Sequence, residues 1–247
     1  MNYKILFWSV CILAIVSGIL ILTQYGSIKQ YYYDYPDLPI VKKETPNEFD
    51  VSYSNRFWIH QANTIDKLLD VKDRFNGIEM DIYYDTETKK IEVCHWPEIQ
   101  PSGLYLEAMF DALQNVQDYQ FWLDFKNLAH MSEQEVAESI TVLDSIVSLY
   151  LMEKKNILIE SSHAENLTFF SQKGYIASYW VPSLPQYPTK HKITSWYNEV
   201  SANVKNNNIS VLSGPHNMLP YVTHYFPEWD FLMFTLSPNM KIILIDE

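Results

Sequence analysis

The sequence predicts an α/β fold: a compact (β/α)8 barrel of TIM type, preceded by an N-terminal transmembrane helix. Three observations lead there. From about residue 50, strand-like and helix-like segments alternate, with eight principal strands. That alternation and count point to a parallel sheet wound with crossover helices. Residues able to do chemistry fall at or near strand ends, where barrel enzymes carry their sites. Residues 5–22 form one apolar run without a charge.

Composition bounds the rest. A chain of 247 residues holds an anchor and one domain of about 200 residues. With 47% apolar residues, Tyr 18, Phe 12 and Trp 7, it can bury a large core. A formal charge of −12 excludes nucleic-acid binding, which needs basic patches, and broad adsorption on anionic lipid. Cys11 lies in the apolar run and Cys94 in the domain, so the two do not pair, and no zinc-type spacing occurs.

Residues 1–26 form the predicted anchor. Eighteen helical residues rise about 27 Å, close to the hydrocarbon thickness. Lys4 precedes the run, while Lys29 is followed by Asp34 and Asp37. This charge bias puts the N-terminus in the cytoplasm and the domain on the extracytoplasmic side of a single-pass membrane protein. The exit, Leu22-Thr-Gln-Tyr-Gly26, lacks a small-x-small cleavage site, which favours a retained anchor over a cleaved signal. Residues 27–49 read as a tether, since Pro36, Pro39 and Pro46 favour extended chain. Residues 50–247 are the barrel.

Within the barrel, 57–60 is a short strand. Asn63 or Thr64 caps a helix to about 74, with Ile65, Leu68, Leu69 and Lys72 on one face, closed by Asn76-Gly77. In strand 77–85, Glu79 and Asp81 share one face; Ile78, Met80 and Ile82 share the other. A polar turn leads to a hairpin strand at 91–95, and a helix spans 104–116. In strand 121–126, Trp122, Asp124 and Lys126 share a face. Ser132-x-x-Glu135 is a capping box opening a long helix with Val136, Ile140, Leu143, Val147 and Tyr150 at helical spacing. A strand at 156–160, a helix at 166–172 stopped by Gly174, a strand at 175–181 and a proline-rich loop follow. A helix at 196–205 and strands at 209–212, 231–236 and 241–245 complete the chain.

Two acids on one side of an apolar strand are costly without a positive partner, and a divalent cation suits paired carboxylates. Asp124 adds a third carboxylate. His60 and His95 suit base and acid roles, since histidine serves either near neutral pH. Lys126 supplies fixed charge for an anionic transition state. Together the set suits cleavage of a phosphodiester. His130, His163, His191, His216 and His224 read as ordinary polar residues.

The order His60-Gln-Ala-Asn63, Gly77-Ile-Glu79-Met-Asp81, His95-Trp-Pro97, Leu123-Asp124-Phe-Lys126 resembles the PLC-like phosphodiesterase superfamily. Its glycerophosphodiester phosphodiesterases open with His-Arg-Gly and continue with Glu-x-Asp, His-Asp and Glu-x-Lys. The His-x-x-Asn opening and Asp-Phe-Lys are closer to the menorin-type branch; Asp as third ligand also occurs in the sphingomyelinase D type of spider venom. The motifs cover about residues 57–126. The resemblance implies that Glu79, Asp81 and Asp124 hold Mg2+ or Ca2+ and that His60 and His95 are the acid–base pair. It further implies that Lys126 contacts the phosphate, with Asn63 on the substrate side; Glu160 shares a face with Leu158 and Ser162, which makes it a further substrate-side residue or a buried partner for Lys126. As in the glycerophosphodiesterases, a neighbouring substrate hydroxyl would attack phosphorus, giving a cyclic intermediate or product. Gln61 stands where an Arg often follows the first histidine, and Trp96 where an Asp follows the second, so the phosphate site is less cationic than in typical members.

Two other function classes fit the same residues. One is a barrel that binds or regulates without catalysis. The other is a glycosidase using Glu79 and Glu160, whose activity a chelator would not touch. In every case Glu79→Ala should leave the fold intact, because removing one of several crowded acids relieves repulsion. Asn166-Leu-Thr168 and Asn208-Ile-Ser210 are glycosylation sequons, meaningful only in a eukaryotic secretory pathway.

Overall fold

A computed structural model describes residues 35–44, 57–75, 77–95, 102–233 and 243–245. The segment read as the anchor lies outside them, as do Trp96 and Pro97. Among the described residues no helix is long and apolar enough to cross a membrane.

Among the described residues nine strands form one sheet: β1 (Phe57–Ile59), β2 (Gly77–Asp85), β3 (Lys90–Val93), β4 (Gln120–Phe125), β5 (Ile157–Ser161), β6 (Ile176–Trp180), β7 (Val211–Ser213), β8 (Phe231–Leu232) and β9 (Ile243–Ile245). Their order is β8-β7-β6-β5-β4-β2-β1-β9, with β3 off this path. All neighbours on the path are parallel; β3 pairs antiparallel with β2, as expected for a hairpin strand. Helices α1 (Ile65–Val71), α2 (Leu106–Asp111), α3 (Glu133–Leu149), α4 (Ala164–Gln172), α5 (Lys190–Asn206) and α6 (Leu219–Tyr225) stand between successive parallel strands from β1 to β8. Among the described residues no pairing joins β8 to β9.

The alternation along β2 and β4 sorts as the pattern requires. Ile78, Met80, Ile82, Phe121, Leu123 and Phe125 pack with the helices in one large core. On the opposite face Trp58, Trp122, Leu158, Ile176, Val211 and Leu232 form a second buried cluster, one residue from each of six strands. A sheet buries a face of this kind by curling over on itself, as a barrel does.

Several local features follow from single residues. The capping box of α3 is complete, with Ser132 Oγ accepting from Glu135 N and the Glu135 carboxylate accepting from Ser132 N. Gly174, at φ +90°, ends α4 as its position suggests. Gly77 does not cap α1, whose C-cap is Lys72. It opens β2 opposite Trp58, and a Cβ there would lie 2.0 Å from the indole. Helix α6 has no counterpart in the sequence expectation. Thr223 and His224 give it a poor intrinsic signal, Pro220 sits in its first turn where proline is tolerated, and the burial of Tyr221, Val222 and Tyr225 holds it. Helix α5 starts six residues before the expected 196, capped by Thr189, because its first turn is polar and shows no apolar period.

Part of the stretch read as a tether is bound to the domain. Residues 35–44 are extended, as their prolines require, and run along α5 and α6. Tyr225 and Tyr197 hydroxyls donate to the carbonyls of Pro36 and Pro39, and Val41 N donates to Tyr225 O. Tyr35 stacks on His224 at 4.3 Å, and Val41 is buried.

Candidate active site

The candidate site lies at the carboxyl ends of the parallel strands. Along β4 and β5 the inward side chain changes from apolar to acidic in two residues: Trp122 to Asp124, and Leu158 to Glu160. Strand register puts Glu79 beside Trp122, Asp81 beside Asp124, and Asp124 beside Glu160. One oxygen from each of Glu79, Asp81 and Asp124 lies within 4.8 Å of the others. Glu79 and Asp81 are buried, whereas the Asp124 side chain keeps 19% exposure.

Lys126 follows β4 directly and reaches back to the cluster. Its ammonium is 2.5 Å from Asp81 Oδ1 and also pairs with Asp124. Burial opposes its charge, but the Asp124 and Asp81 carboxylates outweigh that and hold its pKa above the ordinary lysine value. Glu79 is pushed well up by burial first, then by Asp81 and Asp124, with only the Gln61 N–H acting the other way among its main influences. Asp124 is raised by burial against the pull of Lys126. Glu160 is pushed well up by burial and by Asp124, and a hydrogen bond with Ser213 offsets part of this.

The turn between β1 and α1 closes the site from one side. His60 Nε2 lies 3.8 Å from Glu79 Oε2. Gln61 sits at φ +51° and its N–H donates to the same oxygen at 2.5 Å. Asn63 Nδ2 donates to Asp81 Oδ2 at 2.5 Å, and its Oδ1 accepts from Asp81 N at 2.9 Å. A cavity of about 430 Å3 opens above the acids, with His60, His95, Asp81, Asp124, Lys126 and Glu160 in its wall. Of the expected site residues, His60, His95, Asp81, Asp124, Lys126 and Glu160 therefore meet in one space, and Glu79 joins through the carboxylate cluster. Asn63 does not line the cavity. Ser161, Ser162 and Trp180 do, without a place among the expected site residues, as does Gln61, which the sequence marks only as standing where an Arg is usual. Trp180 ends β6 and Ser161 ends β5, so the strand-end rule that marks Asp124 was the available signal for both.

The donor set fits a divalent cation. Four carboxyl groups share this space with one lysine, and Glu160 Oε2 is buried without a hydrogen-bond partner among the described residues. Hard oxygen donors in excess of positive charge suit Mg2+ or Ca2+. Glu79, Asp81 and Asp124 would hold the ion.

No protein-family model and no curated protein sequence matches the chain. Solved structures do. A protein from Silicibacter pomeroyi described as a glycerophosphoryl diester phosphodiesterase superposes with TM-score 0.59 at 13% identity, over 80% of this chain and 92% of its own. A glycerophosphodiester phosphodiesterase from Parabacteroides distasonis gives TM-score 0.54 at 11% identity, over 78% and 92%. A phosphodiesterase from Oleispira antarctica, solved with the product sn-glycerol-3-phosphate, gives TM-score 0.53 at 9% identity, over 79% and 94%. The chain has the fold of these phosphodiesterases.

Proposed function

We propose that this protein is a phosphoric diester hydrolase that uses one divalent cation, Mg2+ or Ca2+. Its substrate is a glycerophosphodiester or a related small phosphodiester derived from phospholipid. The scaffold is an eight-stranded barrel closed between β8 and β9. The observation that carries this is the convergence of His60, His95 and Lys126 on the Glu79–Asp81–Asp124 cluster in one cavity. The shared fold supports the reaction class.

When bound, the cation supplies Lewis-acid stabilisation of charge on a phosphoryl oxygen. Lys126 adds fixed positive charge where negative charge builds up. One histidine takes the proton of the attacking hydroxyl as its oxygen bonds to phosphorus. The other gives a proton to the alcohol oxygen released as its bond to phosphorus breaks, and water then opens the cyclic diester with the two histidines in reversed roles, which completes the hydrolysis. The Glu79 carboxylate, 3.8 Å from His60, compensates positive charge formed on that ring during turnover. Residues 5–22 anchor the chain, with the N-terminus in the cytoplasm and the domain outside.

One observation favours the non-catalytic alternative. Gln61 presents only a neutral amide to the cavity, and its N–H is committed to Glu79. The deciding assay follows turnover of glycerophosphodiesters and lysophospholipids with Mg2+ or Ca2+, with and without EDTA, beside His60→Ala. Turnover that requires both ion and His60 is expected. Absence of both turnover and ion binding selects the binding module, and turnover of these phosphodiesters that is indifferent to EDTA overturns the metal dependence while leaving the reaction class standing.

A further inference from the structure

We propose that Asn63 is a positioning residue that aims Asp81 at the cation, and that the turn His60–Asn63 works as one clamp on both β2 acids. This rests on the metal-dependent reading above. The geometry is reciprocal. Asn63 Oδ1 takes the Asp81 N–H, which forces Nδ2 toward Asp81 Oδ2 and leaves no freedom for the amide to flip. Both ends of the side chain are thereby committed, and Asn63 is absent from the cavity wall. Asp81 Oδ1 meanwhile faces Lys126. The two oxygens are thus held in different directions, and the carboxylate cannot rotate.

The same turn holds the other acid. Gln61 N donates to Glu79 Oε2, and Ala62 N donates to Glu79 O. From helix α1, Lys67 Nζ donates to His60 O at 2.7 Å, which ties the turn down from behind. A neutral amide suits this task, because it orients a carboxylate without cancelling the charge that the cation needs. An Asp at 63 would place a fifth acid against Asp81.

The clamp and substrate contact predict different kinetics. If Asn63 positions a ligand, its loss weakens ion binding and leaves the substrate KM at saturating ion unchanged. If it touches substrate, KM rises and ion binding does not change. The test uses the full chain with Asn63→Ala and Asn63→Ser. Mn2+ affinity is measured by calorimetry, and KM is measured at saturating Mg2+. Asn63→Ser keeps a small polar side chain in the turn without adding charge, so it stays informative where Asn63→Ala destabilises the turn. Ion affinity should fall about 10- to 100-fold in both variants, the range seen when groups that orient metal ligands are removed. Unchanged affinity in a folded variant, while wild type binds the ion, overturns the clamp and leaves the metal site standing. A wild-type chain that binds no ion overturns both.

Discussion

The two halves of the sheet's inner face share the same strands yet differ in every energetic respect. The N-terminal half is a plug of Trp58, Trp122, Leu158, Ile176, Val211 and Leu232, all buried. The C-terminal half, two residues further along, presents His60, Asp124, Glu160, Ser178 and Ser213, with Glu79 and Asp81 from β2. The first half stabilises by removing apolar surface from water. The second buries carboxyl groups that repel one another around a single ammonium, that of Lys126, and opposes folding. The contrast teaches that the plug sustains the site: an acidic layer of this density persists because apolar burial directly beneath it holds the strands in register.

The sharpest way to break the contrast is to empty the plug. Trp58→Ala should cost about 3–5 kcal/mol of stability, read from the urea midpoint. Gly77→Ala, which drives a Cβ into the Trp58 ring, should cost about 1–3 kcal/mol by overpacking. The double variant should lose less than the sum of the two, because removing the indole clears the space that the new methyl needs. Strict additivity in that cycle would show that Gly77 serves the backbone and not the indole.

The acidic layer should respond with opposite sign. Glu160→Gln should stabilise ion-free protein at pH 7 by about 1 kcal/mol or more, read as a higher melting temperature, since the amide removes a carboxyl group that is ionised in the unfolded chain and that burial forces to stay protonated in the fold. Destabilisation would mean that the charge on Glu160 is fully compensated in the fold.

The smallest effect is the pH profile without ion. Burial raises Glu79, Asp124 and Glu160 above their ordinary values. Above about pH 4 the unfolded chain loses protons that the folded site still holds, so stability falls as pH rises through the raised values. Ion-free protein should therefore melt lower at pH 7 than at pH 5, and Mg2+ or Ca2+ should stabilise it more at pH 7. Surface pairs such as Lys89–Glu138 act in the opposite direction, but solvent screens them. A melting temperature independent of pH over this range would indicate that Lys126 alone neutralises the layer.

The sequence determined by itself which residues could form the site. Period-two alternation put Glu79 with Asp81 and Asp124 with Lys126 on inward faces, because strand geometry leaves a side chain two choices. Strand–helix alternation gave the parallel topology, and Ser132-x-x-Glu135 gave the capping box of α3, each from signals local in the chain. Tertiary structure decided the rest. That Gly77 is reserved for Trp58, that the short α6 is held helical by buried Tyr221, Val222 and Tyr225, and that residues 35–44 dock on α5 and α6 all depend on partners distant in sequence. Asn63 and Gln61 show the limit within the site. Their types were visible, but an amide reveals whether it holds a substrate or a ligand carboxylate only when β1 and β2 lie side by side.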